Sequence, residues 1–332
     1  MTVKIALLGA GRIGQVHARA IAEIEASELV AVHDPMQQAA ESLSRATGAT
    51  IRPVDEIMAD AEIAGIIIAT PTDLHADLIE AGARAGKAVF CEKPIDLDVQ
   101  RVRACLDLVD STGTPLMVGF NRRFDPHFAE LRRRVADGVI GDVEMVAITS
   151  RDPGPPPLEY IRRSGGLFRD MMIHDFDMAR VFLGDEVAQV TATAAVLVDP
   201  AIGEAGDVDS ATAVLKTVSG RICTISNSRR ATYGYDQRIE VHGSGGMLRA
   251  GNPRATTVEI ADSGGYRREP LLDFFMERYR EAYRSELSAF VDSVRNATPC
   301  SPDGRDGLLA LLLADAAARS VAEGRTIDVA TG

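Results

Sequence analysis

Hydrophobic residues in the first third of the chain form short continuous runs separated by segments of helical periodicity. Val3 to Leu8 is apolar except at Lys4 and ends at Gly9, which predicts a buried strand of a parallel sheet. Four further runs of this kind lie at 29–34, 63–69, 88–92 and 116–120. Strand–helix alternation predicts a doubly wound parallel sheet, which binds ligands at the carboxyl ends of its strands.

The second half of the chain has a different pattern. Residues 142–150 alternate between apolar and polar, and strand-like segments follow one another without helices from Val187, including a hairpin that turns at Ser219-Gly220. This pattern predicts a large open, mostly antiparallel sheet, with one face covered by helices and the other free for subunit contact. Amphipathic helices are predicted at 281–296 and 306–323.

Together these patterns predict an α/β protein of two domains. We expect residues 1–121 to form a Rossmann-type doubly wound domain. Residues 122–332 form an α+β domain for substrate binding and oligomerisation, and the C-terminal helices are candidates to pack back on the first domain. A chain of 332 residues is long enough for two hydrophobic cores.

Composition narrows the possible partners. The net charge is -12, so there is no basic surplus to neutralise the phosphates of a nucleic acid. The four cysteines are far apart and form no CxxC pair, which favours reduced thiols over a disulfide framework or a zinc site. No apolar stretch is long enough to cross a membrane and no signal peptide is evident. We therefore expect a cytoplasmic protein with no bound metal and no membrane partner.

A glycine-rich loop carries the first functional signal. Gly9-Ala10-Gly11-Arg12-Ile13-Gly14 matches GxGxxG and lies between a predicted strand and a predicted helix, which is the context a dinucleotide site requires. The three glycines permit the tight turn, a close approach of the pyrophosphate and close helix–strand packing, while the helix N-terminus offers N–H groups to phosphate. Asp34 ends the second predicted strand, where it can accept hydrogen bonds from ribose hydroxyls and repel a 2′-phosphate, so NAD is predicted over NADP.

Polar residues that follow the other strands belong to the same predicted crevice. Lys93 precedes Pro94, which restricts it to extended geometry, and it is either an exposed lysine before a loop or a positive charge directed at a substrate oxygen. The predicted cofactor contacts are Gly9, Gly11, Arg12, Ile13, Gly14, Asp34, Thr70, Pro71, Thr72, His75, Glu92, Lys93 and Arg122.

A titratable cluster lies near the middle of the chain. The segment 165–177 reads GGLFRDMMIHDFD, and we predict that one helix runs from it to Gly184. Asp170 and His174 are four residues apart and would share a helix face, with Asp177 extending that face and Asp175 pointing elsewhere. The cluster is either a general acid/base pair or a capped helix with a surface histidine and solvated acids.

Three separated motifs resemble the glucose-fructose oxidoreductase / inositol dehydrogenase / MocA family over essentially the whole chain. These motifs are the glycine loop, Glu92-Lys93-Pro94, and Gly165-Gly166 followed by Asp170 and His174. The resemblance implies NAD-dependent oxidation of a ring hydroxyl of myo-inositol to the 2-keto inosose by a homotetramer. It also implies that Lys93, Asp170 and His174 form a catalytic set. The implied substrate contacts are Lys93, Arg122, Asp152, Asp170, Met171, His174, Asp177 and Tyr233.

Two rival functions stay open at this level. A dehydrogenase of the same fold could act on another inositol isomer or on a sugar, because specificity lies in loop geometry. A protein of this composition could also bind NAD as a non-catalytic sensor, although an intact set of Lys93, Asp170 and His174 argues against that function.

Overall fold

The computed structural model describes residues 2–329. Met1 and residues 330–332, at the ends of the two predicted domain ranges, lie outside the described residues. The chain divides into two compact units, one of Met1–Phe124 with Arg280–Leu311 and one of Asp125–Tyr279 with Leu312–Gly332.

The first unit is built on a six-stranded sheet in which every strand pair is parallel, with the order β3-β2-β1-β4-β5-β6. The strands are β1 (Val3–Leu8), β2 (Ser27–His33), β3 (Thr50–Ile51), β4 (Gly65–Ile68), β5 (Ala88–Glu92) and β6 (Leu116–Gly119). The central strands are buried on both faces, as the continuous apolar runs predict. The predicted doubly wound parallel sheet is confirmed.

Five helices from the first part of the chain and one from its C-terminal part belong to this unit. They are α1 (Arg12–Ala22), α2 (Gln37–Thr47), α3 (Val54–Ala59), α4 (His75–Arg84), α5 (Val99–Thr112) and, near the end of the chain, α12 (Arg280–Asn296). Helix α12 packs against α1 and β1, and its Phe290 ring lies 5.9 Å from the ring of Phe90 on β5. The long return of the chain therefore completes the hydrophobic core of the first unit.

The second unit contains a seven-stranded sheet with the order β12-β11-β7-β10-β9-β8-β15. The strands are β7 (Val143–Arg151), β8 (Val187–Ala195), β9 (Ser210–Thr217), β10 (Ile222–Ser228), β11 (Asp236–Gly243), β12 (Gly246–Ala250) and β15 (Ile327–Asp328). Strands β7 and β10 are parallel and the other pairs are antiparallel. The predicted mostly antiparallel sheet is confirmed.

One expected strand lies outside this sheet. The sequence predicts a strand of this sheet at 256–260, but only its last two residues belong to a strand, β13 (Glu259–Asp262), which pairs with β14 (Gly265–Arg268) in a separate hairpin. All eight residues of the two strands are exposed. The hairpin therefore has no buried face with which to join the main sheet.

Short helices and two longer ones accompany the second sheet. They are α6 (Pro126–Ala136), α7 (Leu158–Ile161), α8 (Gly166–Asp170), α9 (Ile173–Leu183), α10 (Pro200–Glu204), α11 (Phe275–Arg278) and α13 (Gly304–Glu323). Helix α13 contributes residues 304–311 to the first unit and the rest to the second. Helix α9 packs on β7 and β10. On β9, residues Ala211, Ala213 and Leu215 are buried while the alternate residues are exposed, so the sheet has one covered and one open face.

Candidate active site

The glycine loop has the geometry of a dinucleotide cradle. Gly9 has φ +103, and a Cβ there would lie 2.4 Å from the Ala69 carbonyl oxygen. A Cβ at Gly14 would lie 2.0 Å from the Gly9 carbonyl oxygen. These two glycines are therefore required by the turn and by the packing of α1 against it.

Gly11 needs a different explanation. It has φ -67 and ψ -166, a conformation open to any residue, and a Cβ there would meet no atom within 4 Å. The N-terminus of α1 has no side-chain cap and no acidic residue in its first turn, so its N–H groups and positive dipole end remain available to an anion. The residues thus fit a pyrophosphate lying over Gly11, a position from which a side chain would exclude it.

Asp34 is tied to the glycine loop as well as to the end of its strand. Its Oδ2 accepts a hydrogen bond from the Ala10 N–H at 2.6 Å, and its Oδ1 accepts one from the Met36 N–H at 2.8 Å. The carboxylate therefore joins the end of β2 to the loop that follows β1. Each oxygen keeps a further lone pair for a ribose hydroxyl.

His75 joins the ends of two further strands. The residue is buried, and its Nδ1 and Nε2 lie 2.8 Å from the carbonyl oxygens of Pro94 and Thr70, respectively. The ring thereby fixes the segment after β4 to the segment after β5. Lys93, half-buried, lies in the second of these segments, directly after Glu92.

Other predicted cofactor contacts lie at the same carboxyl edge of the sheet. Arg122 is buried in a 3₁₀ turn over Asn121–Phe124 that follows β6. Pro71 is exposed, Thr70 and Thr72 are half-buried, and Arg12 and Ile13 open α1 with exposed and half-buried side chains. The first unit therefore collects its predicted contacts on one edge, as the rule for parallel sheets requires.

The helix predicted across the titratable cluster is broken in two. Helix α8 ends at Asp170 and α9 begins at Ile173, with Met171 and Met172 between them. The Met172 N–H donates to the Leu167 carbonyl five residues back, and Asp175 N–H donates to the Met172 carbonyl three residues back. The prediction that one helix runs from this segment to Gly184 is therefore wrong, because Asp170 and His174 lie on successive helices.

Asp170 is held by side chains that the sequence did not single out. The Tyr160 hydroxyl donates to Asp170 Oδ1 at 2.8 Å, and Arg229 Nη2 lies 3.5 Å from Asp170 Oδ2. The same Arg229 nitrogen lies 3.6 Å from Asp207 Oδ2. Only 1% of the Arg229 side chain is exposed, so a buried guanidinium lies between the two carboxylates. Its one sequence signal is its place in the basic, hydroxyl-rich segment 227–237.

Asp207 also fixes the start of α8. Its Oδ1 accepts a hydrogen bond from the Leu167 N–H at 2.9 Å, close to Gly165 and Gly166, which have φ +83 and +80. Both glycines adopt a left-handed conformation that other residues rarely take. The backbone at the start of α8 is thus fixed by Gly165, Gly166 and the Asp207 carboxylate. Arg229 lies between Asp207 and Asp170.

The neighbouring acids of α9 have different environments from His174. Asp175 is fully buried and accepts hydrogen bonds from the Ser150 hydroxyl at 2.6 Å and from the Asn227 amide at 2.8 Å, which anchors α9 to β7 and β10. Asp177 is also fully buried. His174 is half-buried, so its side chain is more exposed than those of the two acids.

The remaining predicted substrate contacts lie in the same unit. Met171 is buried at the break between α8 and α9, and half-buried Asp152 follows β7. The Tyr233 hydroxyl donates to Asp236 Oδ2 at 2.7 Å. Burial and this hydrogen bond raise the pKa of Tyr233, so its phenol stays protonated at neutral pH and acts as a donor.

The four cysteines are free and buried, and burial raises the pKa of the Cys105 thiol to about 12, which leaves no reactive thiolate there. Across residues 2–329 no helix is both long and apolar enough to span a membrane.

Comparison with known proteins places the chain among NAD-binding oxidoreductases. Residues 3–120 match the profile described as "Oxidoreductase family, NAD-binding Rossmann fold", and residues 128–249 match the "GFO/IDH/MocA C-terminal domain". The chain is 61% identical to the inositol 2-dehydrogenase of Rhizobium meliloti over 99% of this chain and 100% of that protein.

Solved structures agree with this placement. A myo-inositol dehydrogenase from Corynebacterium glutamicum has a TM-score of 0.96 at 45% identity and covers 99% of both chains. A scyllo-inositol dehydrogenase from Lactobacillus casei, solved with NAD(H) and scyllo-inositol, has a TM-score of 0.92 at 29% identity, again over 99% of both chains.

Proposed function

Because the chain belongs to the GFO/IDH/MocA family of NAD-binding oxidoreductases, we propose that it oxidises myo-inositol to 2-keto-myo-inositol (scyllo-inosose) with NAD in inositol catabolism. One observation carries the redox part of the proposal. No protein atom lies within 4 Å of the position that a Gly11 side chain would occupy, and this open space lies at a helix N-terminus suited to a pyrophosphate. The choice of substrate is supported by 61% identity to an inositol 2-dehydrogenase.

The reaction removes a hydride from a ring carbon of the substrate and a proton from the hydroxyl group on that carbon. NAD supplies the hydride acceptor when it is bound. We assign the proton to His174, whose imidazole is half-buried, because imidazole is the side-chain group whose chemistry best suits a base at neutral pH. Asp170 orients His174 or relays its proton, and Lys93 stabilises the negative charge that develops on the substrate oxygen.

The proposal assigns substrate binding to a wider set of polar residues. A polyol needs several donors and acceptors at fixed positions, because each unpaired hydroxyl costs binding energy. The Tyr233 hydroxyl donates its proton to Asp236, so its oxygen keeps the role of an acceptor for this purpose. The remaining proposed contacts are Lys93, Arg122, Asp152, Asp170, Met171, His174 and Asp177.

We further propose a cytoplasmic homotetramer assembled through the C-terminal sheet. The open face of that sheet carries exposed apolar residues among polar ones, including Met145 and Val214, which are 48% and 41% exposed. Closed symmetric assemblies commonly cover such a face. Light scattering of the purified protein measures the subunit number, and a monomer at micromolar concentration contradicts this part of the proposal.

The test of the activity is an absorbance assay for reduced nicotinamide with a panel of substrates. The panel contains myo-, scyllo- and chiro-inositol and glucose, each with NAD and with NADP. We expect the highest kcat/KM with myo-inositol and NAD. A clear preference for another polyol assigns the protein to a different substrate of the same fold, whereas NAD binding without reduction by any polyol identifies a sensor and contradicts the proposal.

A further inference from the structure

Three ionisable side chains meet inside the first unit, and one of them directly precedes Lys93 in the chain. They are His17 on α1, Glu92 at the end of β5 and Glu286 on α12. One ligand atom of each lies within 4.8 Å of the others, and His17 Nε2 lies 2.7 Å from Glu92 Oε1. His17 and Glu286 are fully buried, while 12% of the Glu92 side chain is exposed.

The cluster has a deficit of hydrogen bonds. Both carboxyl oxygens of Glu286 and Nδ1 of His17 are buried without a hydrogen-bond partner. The rings of Phe90 and Tyr283 pack edge-on against His17 at 5.2 and 5.7 Å, which makes the surroundings apolar. An ionised carboxylate in such a place has a high desolvation cost, and it avoids that cost by taking up a proton.

A bound metal ion is the alternative occupant, and the distances disfavour it. Two ligands that each lie about 2.1 Å from a tetrahedral zinc ion are about 3.4 Å apart. The 2.7 Å between His17 Nε2 and Glu92 Oε1 is instead a hydrogen-bond distance. The cluster therefore holds a proton between these two residues where a metal site would hold its ligands further apart.

We propose that His17, Glu92 and Glu286 form a buried proton network in which Glu286 is kept as a neutral carboxylic acid, and that this network positions Lys93. Burial and the charge of Glu92 raise the pKa of Glu286 well above its ordinary value, in agreement with the geometry. Glu92 is the link, because it is bonded to His17 and is followed directly by Lys93. The positioning role rests on the proposed function; the neutral acid does not.

Three of the other charged groups on the packed elements have ion-pair partners outside the cluster. Helix α12 packs against α1, β1 and the 3₁₀ turn at 121–124. Lys4 on β1 pairs with Glu62, Arg123 on the turn pairs with Asp306, and Glu23 at the end of α1 pairs with Arg280. Arg122 on the turn, and Arg12 and Arg19 on α1, are the further charged groups of these elements. None of these ion pairs includes His17, Glu92 or Glu286.

The neutral acid is tested by comparing wild-type protein with Glu286→Gln in chemical unfolding from pH 5 to 8. The unfolded Glu286 loses its proton near pH 4.3, whereas the folded one keeps it, so the native state binds one more proton in this range and wild-type stability falls as pH rises. Glutamine imitates the neutral acid at every pH. We expect the ratio of the two unfolding constants to change tenfold per pH unit until the folded acid ionises.

A pH-independent ratio would overturn the proposal. If Glu286→Gln does not fold, infrared spectra of the wild-type protein at pH 7 with ¹³C-labelled glutamate decide the question, since a protonated carboxyl band is expected and its absence contradicts the inference. Metal analysis of the purified protein supplies a third reading. One equivalent of a divalent ion, lost in Glu286→Gln, identifies a metal site and also overturns the inference.

The positioning role has its own readout. We expect Glu286→Gln to keep kcat within twofold, and Glu286→Val, which removes the polar head, to lower kcat at least tenfold while the Kd for NAD changes less than threefold. Wild-type kcat in both variants contradicts the positioning role. A wild-type protein that oxidises no polyol defeats the proposed function instead, and the unfolding experiment still decides the state of Glu286.

Discussion

Arg229 lies with its Nη2 3.5 Å from Asp170 Oδ2 and 3.6 Å from Asp207 Oδ2. The guanidinium is almost fully buried. The two carboxylates therefore provide the electrostatic stabilisation that water gives to an exposed cation. Asp207 in turn accepts the Leu167 N–H at the start of α8. The position of the proposed catalytic carboxylate is thus coupled through one arginine to the segment that begins its helix.

Replacing this arginine is expected to affect stability and turnover together. Arg229→Met removes a buried cation from beside two half-buried carboxylates and should lower the free energy of unfolding by about 3 kcal/mol. It should also lower kcat at least tenfold, because Asp170 loses a constraint. Arg229→Lys keeps the positive charge but lacks the planar guanidinium, so its stability and kcat should lie between those of wild type and Arg229→Met. Urea unfolding and steady-state kinetics measure these effects.

The neighbouring Arg230 provides the control for that experiment. Its side chain is exposed and donates to the main-chain carbonyls of Leu197 and Val198. Arg230→Met should change stability by less than about 0.5 kcal/mol and leave kcat within twofold. Equal losses in both variants would mean that the buried charge at position 229 has no special role.

Two glycines of the loop should separate cofactor binding from folding. Gly11→Ala meets no protein atom and has an unstrained φ, so its stability should change by less than about 1 kcal/mol. Its Kd for NAD should rise at least tenfold, because the methyl group occupies the approach of the pyrophosphate. Gly14→Ala would bring a methyl group to 2.0 Å from the Gly9 carbonyl and should destabilise the fold itself. Calorimetry of NAD binding and thermal unfolding distinguish the two, and unimpaired NAD binding by Gly11→Ala would count against the cradle.

Loss of the proposed base should be confined to turnover. His174→Gln is expected to lower kcat at pH 7 by about 10²–10⁴-fold, the usual contribution of general-base catalysis, with little change in NAD affinity. The control is His127→Gln, since His127 is an exposed residue of α6. Near-normal turnover of His174→Gln would show that another group takes the proton.

Lys93→Met tests the assignment of positive charge at the reacting oxygen. We expect a large fall in kcat, of about 10²-fold or more, with the Kd for NAD nearly unchanged. Lys4→Met is the matched control, since the Lys4 side chain is 39% exposed and pairs with Glu62 on the surface. An unchanged rate accompanied by weaker NAD binding would instead assign Lys93 to the cofactor.

Asp209 should give the second unit a characteristic acid sensitivity. Burial opposes ionisation of this carboxylate, but the N–H groups of Leu197, Val198 and Asp199 and the Ser210 hydroxyl donate to it and hold its pKa below the ordinary 3.8. The native state therefore binds fewer protons than the unfolded state near that pH. Its stabilisation is complete above about pH 5 and is lost as pH falls through the folded pKa.

Asp209→Asn should lower the free energy of unfolding by about 2 kcal/mol at pH 7. The amide NH₂ group of asparagine would face N–H and O–H groups that are themselves donors. The difference from wild type should shrink below pH 3.8. Exposed Asp142 offers the control variant Asp142→Asn, for which no such pH dependence is expected. A difference that stays constant down to pH 2.5 would contradict the low pKa. Urea unfolding across this pH range provides the measurement.

Local pattern was sufficient wherever the deciding interactions lie close together in the chain. The buried runs of β1 and β4, the turn at Gly9 and the start of α1 depend on residues a few positions apart, and they lie where the sequence predicts them. The sequence also marked the segment of Asp170 and His174. It could not mark the break between α8 and α9, because both halves have helical periodicity and Met172 is a good helix former.

The sequence by itself determined the parallel nucleotide-binding sheet, the glycine cradle, the mostly antiparallel second sheet and the family. Only the tertiary structure decided which groups surround the titratable residues. Arg229 reaches Asp170 from 59 positions along the chain, and Glu286 joins His17 and Glu92 because α12 returns to the first unit. Periodicity records which residues are buried, whereas the charge that a buried residue meets depends on the packing of distant elements.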